Sequence, residues 1–166
     1  MAKASTVNGR RSVMQMWESM QKWPMGRQLF SLAVGRQARY TGTIGAMVLE
    51  LSPGQSKVEM RDKPLVRNHL KSVHAIALMN LGELTTGLAV MSHVDGRGRG
   101  IVTGLRMEYL KKARGTITGV CTASVPQEAG DHGVTVEGDL LDAEGDVVAR
   151  CFADWKIQIN PQTPAV

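Results

Sequence analysis

Residues 73–94, VHAIALMNLGELTTGLAVMSHV, are apolar along nearly their whole length and are long enough for one helix of about six turns. A helix that is apolar on all sides must be surrounded by other protein or by lipid. Glu83 interrupts this stretch near its middle. Because an unpaired buried carboxylate is costly in free energy, Glu83 is the first residue to consider for chemistry.

A membrane span is the alternative to a buried core helix for this stretch. Polar side chains recur along it, namely His74, Asn80, Glu83, Thr85, Thr86 and His93. Ionisable residues inside a membrane are costly, and a central helix wrapped by protein fits this composition better. We therefore expect no membrane partner.

Two short helices and a hairpin are predicted before the central stretch. Apolar residues at helical spacing in 11–23 are followed by Pro24, which ends one helix and is suited to open the next. Gly35 and the basic segment 36–40 are expected to end the second helix. Residues 41–51 are predicted to be a strand, Ser52-Pro53-Gly54 a turn, and residues 56–61 a half-exposed strand that completes the hairpin.

After the central stretch the hydrophobic period changes from helical to alternating. The segment 93–100, HVDGRGRG, is rich in glycine and arginine and is predicted to be a mobile loop. Alternation then predicts four strands, at residues 101–109, 117–125, 134–140 and 147–159.

One long helix with about six antiparallel strands has an economical solution, in which the sheet curls around the helix and buries it. Such a sheet has open edges, which are commonly satisfied by a second copy about a two-fold axis. We expect a homodimer or a dimer of dimers. The chain is predicted to be one domain, 1–166, with a helical extension at 1–40 and the core at 41–160.

Composition narrows the possible partners. A net charge of +5 and a pI near 9.5 favour anionic partners, which include nucleic acid, anionic lipid and phosphorylated small molecules. Nucleic acid is the weakest of these, because the basic residues are dispersed and no recognised motif accompanies them.

Cys121 and Cys151 are far apart with no CxxC spacing, so we expect reduced core cysteines in a cytoplasmic protein, without a metal site. The basic start, MAKASTVNGRRSV, lacks the apolar run of a signal peptide.

Residues 68–90, NHLKSVHAIALMNLGELTTGLAV, carry Asn68, His74 and Glu83 in series. This segment resembles the Asn, His-Gly-Gly, acid pattern of the hotdog-fold acyl-CoA thioesterases, in particular the phenylacetyl-CoA thioesterase branch. The resemblance implies an α+β hotdog fold, in which a curved antiparallel sheet wraps one long central helix. The two amino-terminal helices would be an addition to the minimal hotdog unit.

The resemblance also implies roles for individual residues. Glu83 would act as general base or nucleophile, and the backbone N–H of Ala75 would polarise the thioester carbonyl. Asn68 would orient water or the carboxylate, and His74 would hold the junction between loop and helix. In members of this family the Asn and His come from one subunit and the acid from its partner. CoA enters only as part of the substrate, and no metal or redox cofactor is implied.

The segment departs from the family pattern at several positions. Ala75 and Ile76 stand where many members have two glycines, and Glu83 replaces the aspartate of the nearest branch. Where some members have a serine on the strand after the helix, the match falls on Val102 or Thr103. The basic residues are candidates for binding CoA phosphates, or they form a solvated basic surface; they are Arg97, Arg99, Lys111, Lys112 and Arg114.

Three functions remain open from the sequence. The leading one is hydrolysis of an acyl-CoA-type thioester, and the second is a non-catalytic acyl-CoA or acyl-binding module, which the substituted glycines motivate. Hydration or dehydration of an acyl thioester on the same fold is third, because such sites usually use a His base. Glu83 could instead be a structural carboxylate paired with Asn80, Thr86 or a neighbouring cation.

Overall fold

A six-stranded antiparallel sheet and one long helix make up most of the protein. The computed structural model describes residues 12–161. The basic amino-terminal segment considered above lies almost entirely outside these residues. The elements are α1 (Val13–Met20), α2 (Gly26–Gln37), β1 (Met47–Ser52), β2 (Gln55–Met60), α3 (Ala75–Val94), β3 (Gly98–Tyr109), β4 (Ile117–Thr122), β5 (Gly130–Leu141) and β6 (Val147–Ile159).

The strands follow the order β1-β2-β4-β5-β6-β3, and all neighbouring strands are antiparallel. Helix α3 packs against all six of them, so the sheet curves around the helix. The hotdog architecture that the sequence predicts is therefore confirmed. α3 is long and apolar enough to cross a membrane, but its place inside the sheet makes it the core helix.

Helix α3 is fixed by a cap at each end and by close contact with β6. Its first turn is capped by His74, whose ring Nδ1 accepts a hydrogen bond of 3.0 Å from the Ile76 N–H. The helix ends at Asp95, which adopts a left-handed conformation with φ of 33°. At Gly82 a Cβ atom would lie 2.6 Å from the Cβ of Cys151, so only glycine permits this approach of helix to sheet.

The two amino-terminal helices are confirmed and cover the β1 end of the sheet. Trp17 of α1 packs edge-to-face on Phe30 of α2, with ring centroids 5.0 Å apart. Phe30 is completely buried. The Ser31 hydroxyl of α2 accepts a hydrogen bond of 2.8 Å from the Val48 N–H of β1. This bond attaches the helical extension to the edge of the sheet.

Two predicted loop and strand boundaries were wrong. Residues Thr41–Ile44 form a 3₁₀ turn, and β1 begins only at Met47. This turn packs its backbone tightly on α2, since a Cβ at Gly42 would lie 2.6 Å from the Gly35 carbonyl oxygen. The predicted mobile loop 93–100 is mostly regular structure, because α3 continues to Val94 and β3 begins at Gly98.

Strand β3 contains a bulge that the alternation of apolar residues did not reveal. Val102 pairs with Trp155 and Gly104 pairs with Asp154, so Thr103 is an extra residue. The buried residues of β6 form the face of the sheet that contacts α3, and a β3 residue paired with one of them points to the same face. By this register Val102 faces α3 before the bulge. After the bulge, the residues that face α3 are Leu105, Met107 and Tyr109. The predicted single alternation through 101–109 was therefore wrong.

Candidate active site

One stripe of α3 is only partly covered by the sheet and is called the half-exposed stripe. Its residues recur every three or four positions and are all partly exposed: Ile76, Met79, Glu83, Gly87 and Met91. The buried residues of the same helix, including Leu81, Thr85 and Leu88, face the sheet. Glu83 lies in the middle of the half-exposed stripe and is its only ionisable member.

The Glu83 carboxylate makes no hydrogen bond or ion pair with any other residue in 12–161. Thr86 donates instead to the carbonyl oxygens of Gly82 and Glu83, and Asn80 donates to the Tyr40 carbonyl oxygen. The suggested pairing with Asn80 or Thr86 is therefore absent from this part of the chain. Burial alone raises the pKa of Glu83, because the charged form loses hydration without gaining a partner.

Cys151 on β6 lies beside this carboxylate. Burial raises the pKa of the Cys151 thiol to about 11, and the charge of Glu83 adds to the effect. The thiol is therefore neutral at physiological pH. Cys121 is also free and buried, as expected for core cysteines.

The start of α3 presents an unused donor. The His74 N–H donates to the Val66 carbonyl oxygen at 2.7 Å, and the His74 carbonyl oxygen accepts from Leu78. Ile76 donates to the His74 ring, whereas the Ala75 N–H finds no acceptor among residues 12–161. A free N–H at the positive end of a helix dipole is suited to stabilise a developing oxyanion.

Asn68 organises the loop that leads into α3. Its side-chain oxygen accepts hydrogen bonds from the Leu70 N–H, the Ser72 N–H and the Ser72 hydroxyl, at 2.9, 3.2 and 3.1 Å. Its backbone N–H donates to the Ser72 carbonyl oxygen at 2.8 Å. The carboxamide NH₂ makes no hydrogen bond within the described range and is free to donate one.

Within one protomer the structure brings Asn68 close to His74 but not to Glu83. Asn68 and His74 belong to the loop and the cap at the start of α3. Glu83 lies nine residues further along the helix, which corresponds to roughly 13 Å along the helix axis.

The predicted phosphate-binding cations lie in two groups at opposite ends of α3. Lys111, Lys112 and Arg114 follow β3 near the helix start, where the Val73 N–H donates to the Ala113 carbonyl oxygen. Arg97 and Arg99 lie near the other end, roughly 30 Å away for a 20-residue helix. One phosphate cannot contact both groups.

Three of these candidate residues already have protein partners. Lys111 forms ion pairs with Asp142 and Asp146 at 2.8 and 2.7 Å, which raise its pKa. Arg97 donates to the Gln127 side chain and to the His93 carbonyl oxygen. The Thr103 hydroxyl donates to the Asp154 carbonyl oxygen at the bulge. Arg99, Lys112 and Arg114 are exposed.

Tyr109 and two clefts were not identified from the sequence. The Tyr109 hydroxyl donates to the Ala75 carbonyl oxygen at 3.2 Å and so ties β3 to the helix start. The helix-start cleft, of about 370 Å³, is lined by His74, Ile76, Ala77, Asn80, Tyr40, Thr43, Ile44, Leu65, Val66 and Arg67. A second and larger cleft lies between α2 and α3 and reaches Leu84. In the sequence, the alternation of apolar residues placed Tyr109 on a strand, but no motif indicated a role at the start of α3.

Among residues 12–161, no three His, Cys, Asp or Glu side chains lie together in an arrangement that could hold a metal ion.

Comparison with known proteins identifies the family. Residues 26–157 match the family described as "Domain of unknown function (DUF4442)". The chain belongs to the DUF4442 family. A search of curated proteins finds no match.

Solved structures resemble this DUF4442 protein over most of its length. The structural genomics protein APC5556 is 29% identical, with a TM-score of 0.76 over 89% of this chain and 98% of that chain. A Pseudomonas aeruginosa protein of unknown function, described as a probable thioesterase, is 24% identical, with a TM-score of 0.72 over 83% and 97%. A mutant of the phenylacetic acid degradation protein PaaI from Thermus thermophilus is 18% identical, with a TM-score of 0.61 over 71% and 97%. These structures confirm the hotdog fold that the resemblance of residues 68–90 implies.

Proposed function

We propose that this protein hydrolyses acyl-CoA-type thioesters as a homodimer, with Glu83 as general base or nucleophile. The observation that carries the proposal is the state of Glu83, an unpaired and half-buried carboxylate on the half-exposed stripe of α3. A carboxylate with a raised pKa is a stronger base than one in water, and its oxygens are free to contact water or a carbonyl carbon. The description of similar folds as thioesterases supports the same reaction class.

The proposed reaction uses only groups described above. Glu83 removes a proton from water, which attacks the thioester carbonyl carbon, or the carboxylate attacks that carbon directly. The negative charge on the resulting tetrahedral oxygen accepts a hydrogen bond from the free Ala75 N–H. When water attacks, collapse of this intermediate breaks the carbon–sulfur bond and releases the free acid and the CoA thiolate, which takes the proton from Glu83. When Glu83 attacks, collapse releases the thiolate and leaves an acyl–Glu83 anhydride; water then hydrolyses the anhydride, which releases the free acid, restores the carboxylate and supplies the proton to the thiolate. His74 holds the helix start, and the Asn68 NH₂ group orients the water or the carboxylate.

The proposal includes a dimer because β3 is an open edge. This strand has 12 residues and pairs only with β6 in the described structure. Large apolar side chains are exposed on it, with Ile101 at 64%, Tyr109 at 50% and Leu105 at 40%. Two β3 strands paired about a two-fold axis would cover these side chains and join the sheets. The carboxylate of one protomer could then meet the helix start of the other.

Replacing Leu105 with lysine should convert the dimer to monomer, because a charge would be placed at the covered edge. Light scattering after size-exclusion chromatography measures the change in mass. Leu29→Lys is the matched control, since Leu29 is similarly exposed but lies on α2. A Leu105→Lys protein that keeps the mass of the wild type would contradict the proposed edge pairing.

A thiol-release assay with a panel of acyl-CoAs should detect turnover with at least one substrate. The panel should include short, medium, long and arylacetyl acyl groups. Carbonyl activation by one oxyanion donor is worth about 10²- to 10³-fold in turnover, so a true substrate should stand well above background. A folded protein that is inactive on the whole panel would rule out the hydrolase and leave the binding module.

The second candidate is a non-catalytic acyl-CoA-binding module. The Ile76 side chain, 51% exposed at the helix start, motivates it, because a glycine there would allow closer approach of a thioester. Acyl-CoA binding measured by calorimetry without hydrolysis would favour this alternative. For either function, Lys112 and Arg114 are the better candidates for CoA phosphates, since they lie near the start of α3 and Lys111 is already paired.

A further inference from the structure

The larger of the two clefts that reach α3, here called the α2–α3 cleft, lies between the helical extension and the core. Its volume is about 810 Å³, within the size range of small-molecule sites. Leu32 of α2, Met47 of β1 and Leu84 of α3 form apolar parts of its wall. Because α2 is an addition to the minimal hotdog unit, the cleft exists only where that addition is present.

The position of the α2–α3 cleft connects it to the proposed reaction. Leu84, which lines the cleft, directly follows Glu83 on the same helix. Side chains of successive helix residues diverge by about 100°, so a thioester whose carbonyl carbon contacts Glu83 would reach Leu84 by extending its acyl chain around the helix. The apolar wall then gives the carbons of that chain a surface on which to leave water.

The charge at the rim of this cleft favours an anion. Arg36 and Arg39 line it, are exposed, and form no ion pair in the described part of the chain. The sequence contains no Asp or Glu between Ser19 and Leu49, so no acidic residue of this segment competes for them. Guanidinium groups bind carboxylates and phosphates through paired hydrogen bonds.

We propose that the α2–α3 cleft binds the acyl chain of the substrate and that Arg36 and Arg39 hold an anionic group at its rim. The ligand is a substrate only if the proposed thioesterase function is correct. The proposal that the cleft binds an acyl chain does not depend on that function. The substrate class is then an acyl thioester with an extended apolar chain. The anion is either a carboxylate at the far end of that chain or a phosphate of the carrier, which share the same chemistry toward arginine.

Calorimetry on the Glu83→Gln protein tests binding without turnover. Saturated fatty acids of increasing length are the probes, and affinity should rise about fourfold for each added methylene until the cleft is filled. Leu32→Trp and Leu84→Trp should stop this rise at a shorter chain, because the indole occupies the cleft. Leu29→Trp is the matched control, since Leu29 lies on α2 but does not line the cleft. Equal chain-length profiles for the Leu32→Trp, Leu84→Trp and control proteins would overturn the proposal.

The arginines are tested with an anionic and a neutral ligand of equal length. Arg36→Gln and Arg39→Gln should each weaken decanoate binding by about threefold and leave 1-decanol binding unchanged, as expected for exposed charge pairs. Arg27→Gln, an exposed arginine of α2 that does not line the cleft, should change neither. Equal losses for Arg27→Gln and Arg36→Gln would overturn the assignment of the anion site.

Thioester ligands separate the two sources of the anion. If the anion is a terminal carboxylate, decanedioyl-CoA should bind more tightly than decanoyl-CoA, and Arg36→Gln should abolish the difference. If the anion is a carrier phosphate, Arg36→Gln should weaken both ligands and CoA itself. If the wild-type protein binds acyl chains in the cleft but hydrolyses no thioester, the proposed enzymatic function is wrong and the proposed chain-binding site stands. If it hydrolyses thioesters but the cleft substitutions change neither binding nor chain-length preference, the enzymatic function stands and the proposed chain-binding site is wrong.

Discussion

Replacing Glu83 with glutamine should lower kcat for thioester hydrolysis by roughly 10²- to 10⁴-fold, the usual contribution of a general base. KM should change little, because glutamine has nearly the same shape and the carboxylate has no partner to lose among residues 12–161. Steady-state thiol release with the best substrate of the panel measures both constants. Glu144→Gln is the control, since Glu144 is an exposed residue of the turn between β5 and β6.

The same substitution should not destabilise the fold, which distinguishes a catalytic loss from unfolding. The folded-state pKa of Glu83 lies above the ordinary value of 4.5, so the native state binds the proton more tightly than the unfolded state. The free energy of unfolding contributed by Glu83 therefore falls as pH rises from about 4.5 through the raised pKa. Urea unfolding across this window should show a decline in the wild type that Glu83→Gln removes.

These two measurements can contradict the role of Glu83 separately. A Glu83→Gln protein as active as the wild type would exclude the carboxylate from the reaction. A wild-type unfolding free energy that does not fall with pH relative to that of Glu83→Gln would instead show that the carboxylate has found a partner, because the other carboxylates contribute equally to both proteins. The activity of the wild type should also fall as pH drops through the raised pKa, because only the ionised carboxylate can accept a proton.

Mixing two inactive variants should restore about a quarter of wild-type activity if each site uses both protomers. The variants are Glu83→Gln and Asn68→Asp, the latter chosen because its carboxylate keeps the three accepted hydrogen bonds of the loop while losing the NH₂ donor. Half of randomly assembled dimers carry one subunit of each kind, and one of their two sites is intact, which gives about one quarter. Coexpression with two affinity tags isolates the mixed dimer, which should show about half of wild-type activity in the thiol-release assay because one of its two sites is intact.

The structure provides a control for this restoration. Asn68 and His74 lie together at the start of α3, whereas Glu83 is two and a half turns away in the same protomer. Asn68→Asp mixed with His74→Asn should therefore remain inactive, because both changes fall in the same half of a composite site. Restoration by this second pair, or none by the first, would contradict the two-protomer site.

Periodicity and one motif predicted most of the fold. The apolar stretch around Glu83 placed α3, and alternation placed the strands that follow it. The turn at Thr41–Ile44 was missed because small residues such as Gly42 suit a strand as well as a tight turn, and only contact with Gly35 decides between them. The Thr103 bulge was missed because an extra residue is visible only against the register of β6.

The candidate site was predictable where it depends on neighbours in sequence. One continuous segment contains His74, Ala75 and Glu83, so its resemblance to a known pattern was enough to propose them as site residues. The absence of a partner for the Glu83 carboxylate among residues 12–161 and the shapes of the clefts depend on contacts between segments that are distant in sequence. The pattern within a single segment does not predict such contacts. Lys111 illustrates the limit, because its partners Asp142 and Asp146 come from a turn more than thirty residues away.

The extra residue at Thr103 has an effect far from its own position. Without it, the ring of Tyr109 would point to solvent, and the Ala75 carbonyl oxygen would lose the phenolic hydrogen bond that ties it to β3. Six residues of extended chain separate the two points, a distance of about 20 Å. A one-residue deletion in the edge strand would therefore remove this tie between β3 and the amino end of the central helix, so lineages of this family should tolerate changes of residue type at 103 far better than changes of length.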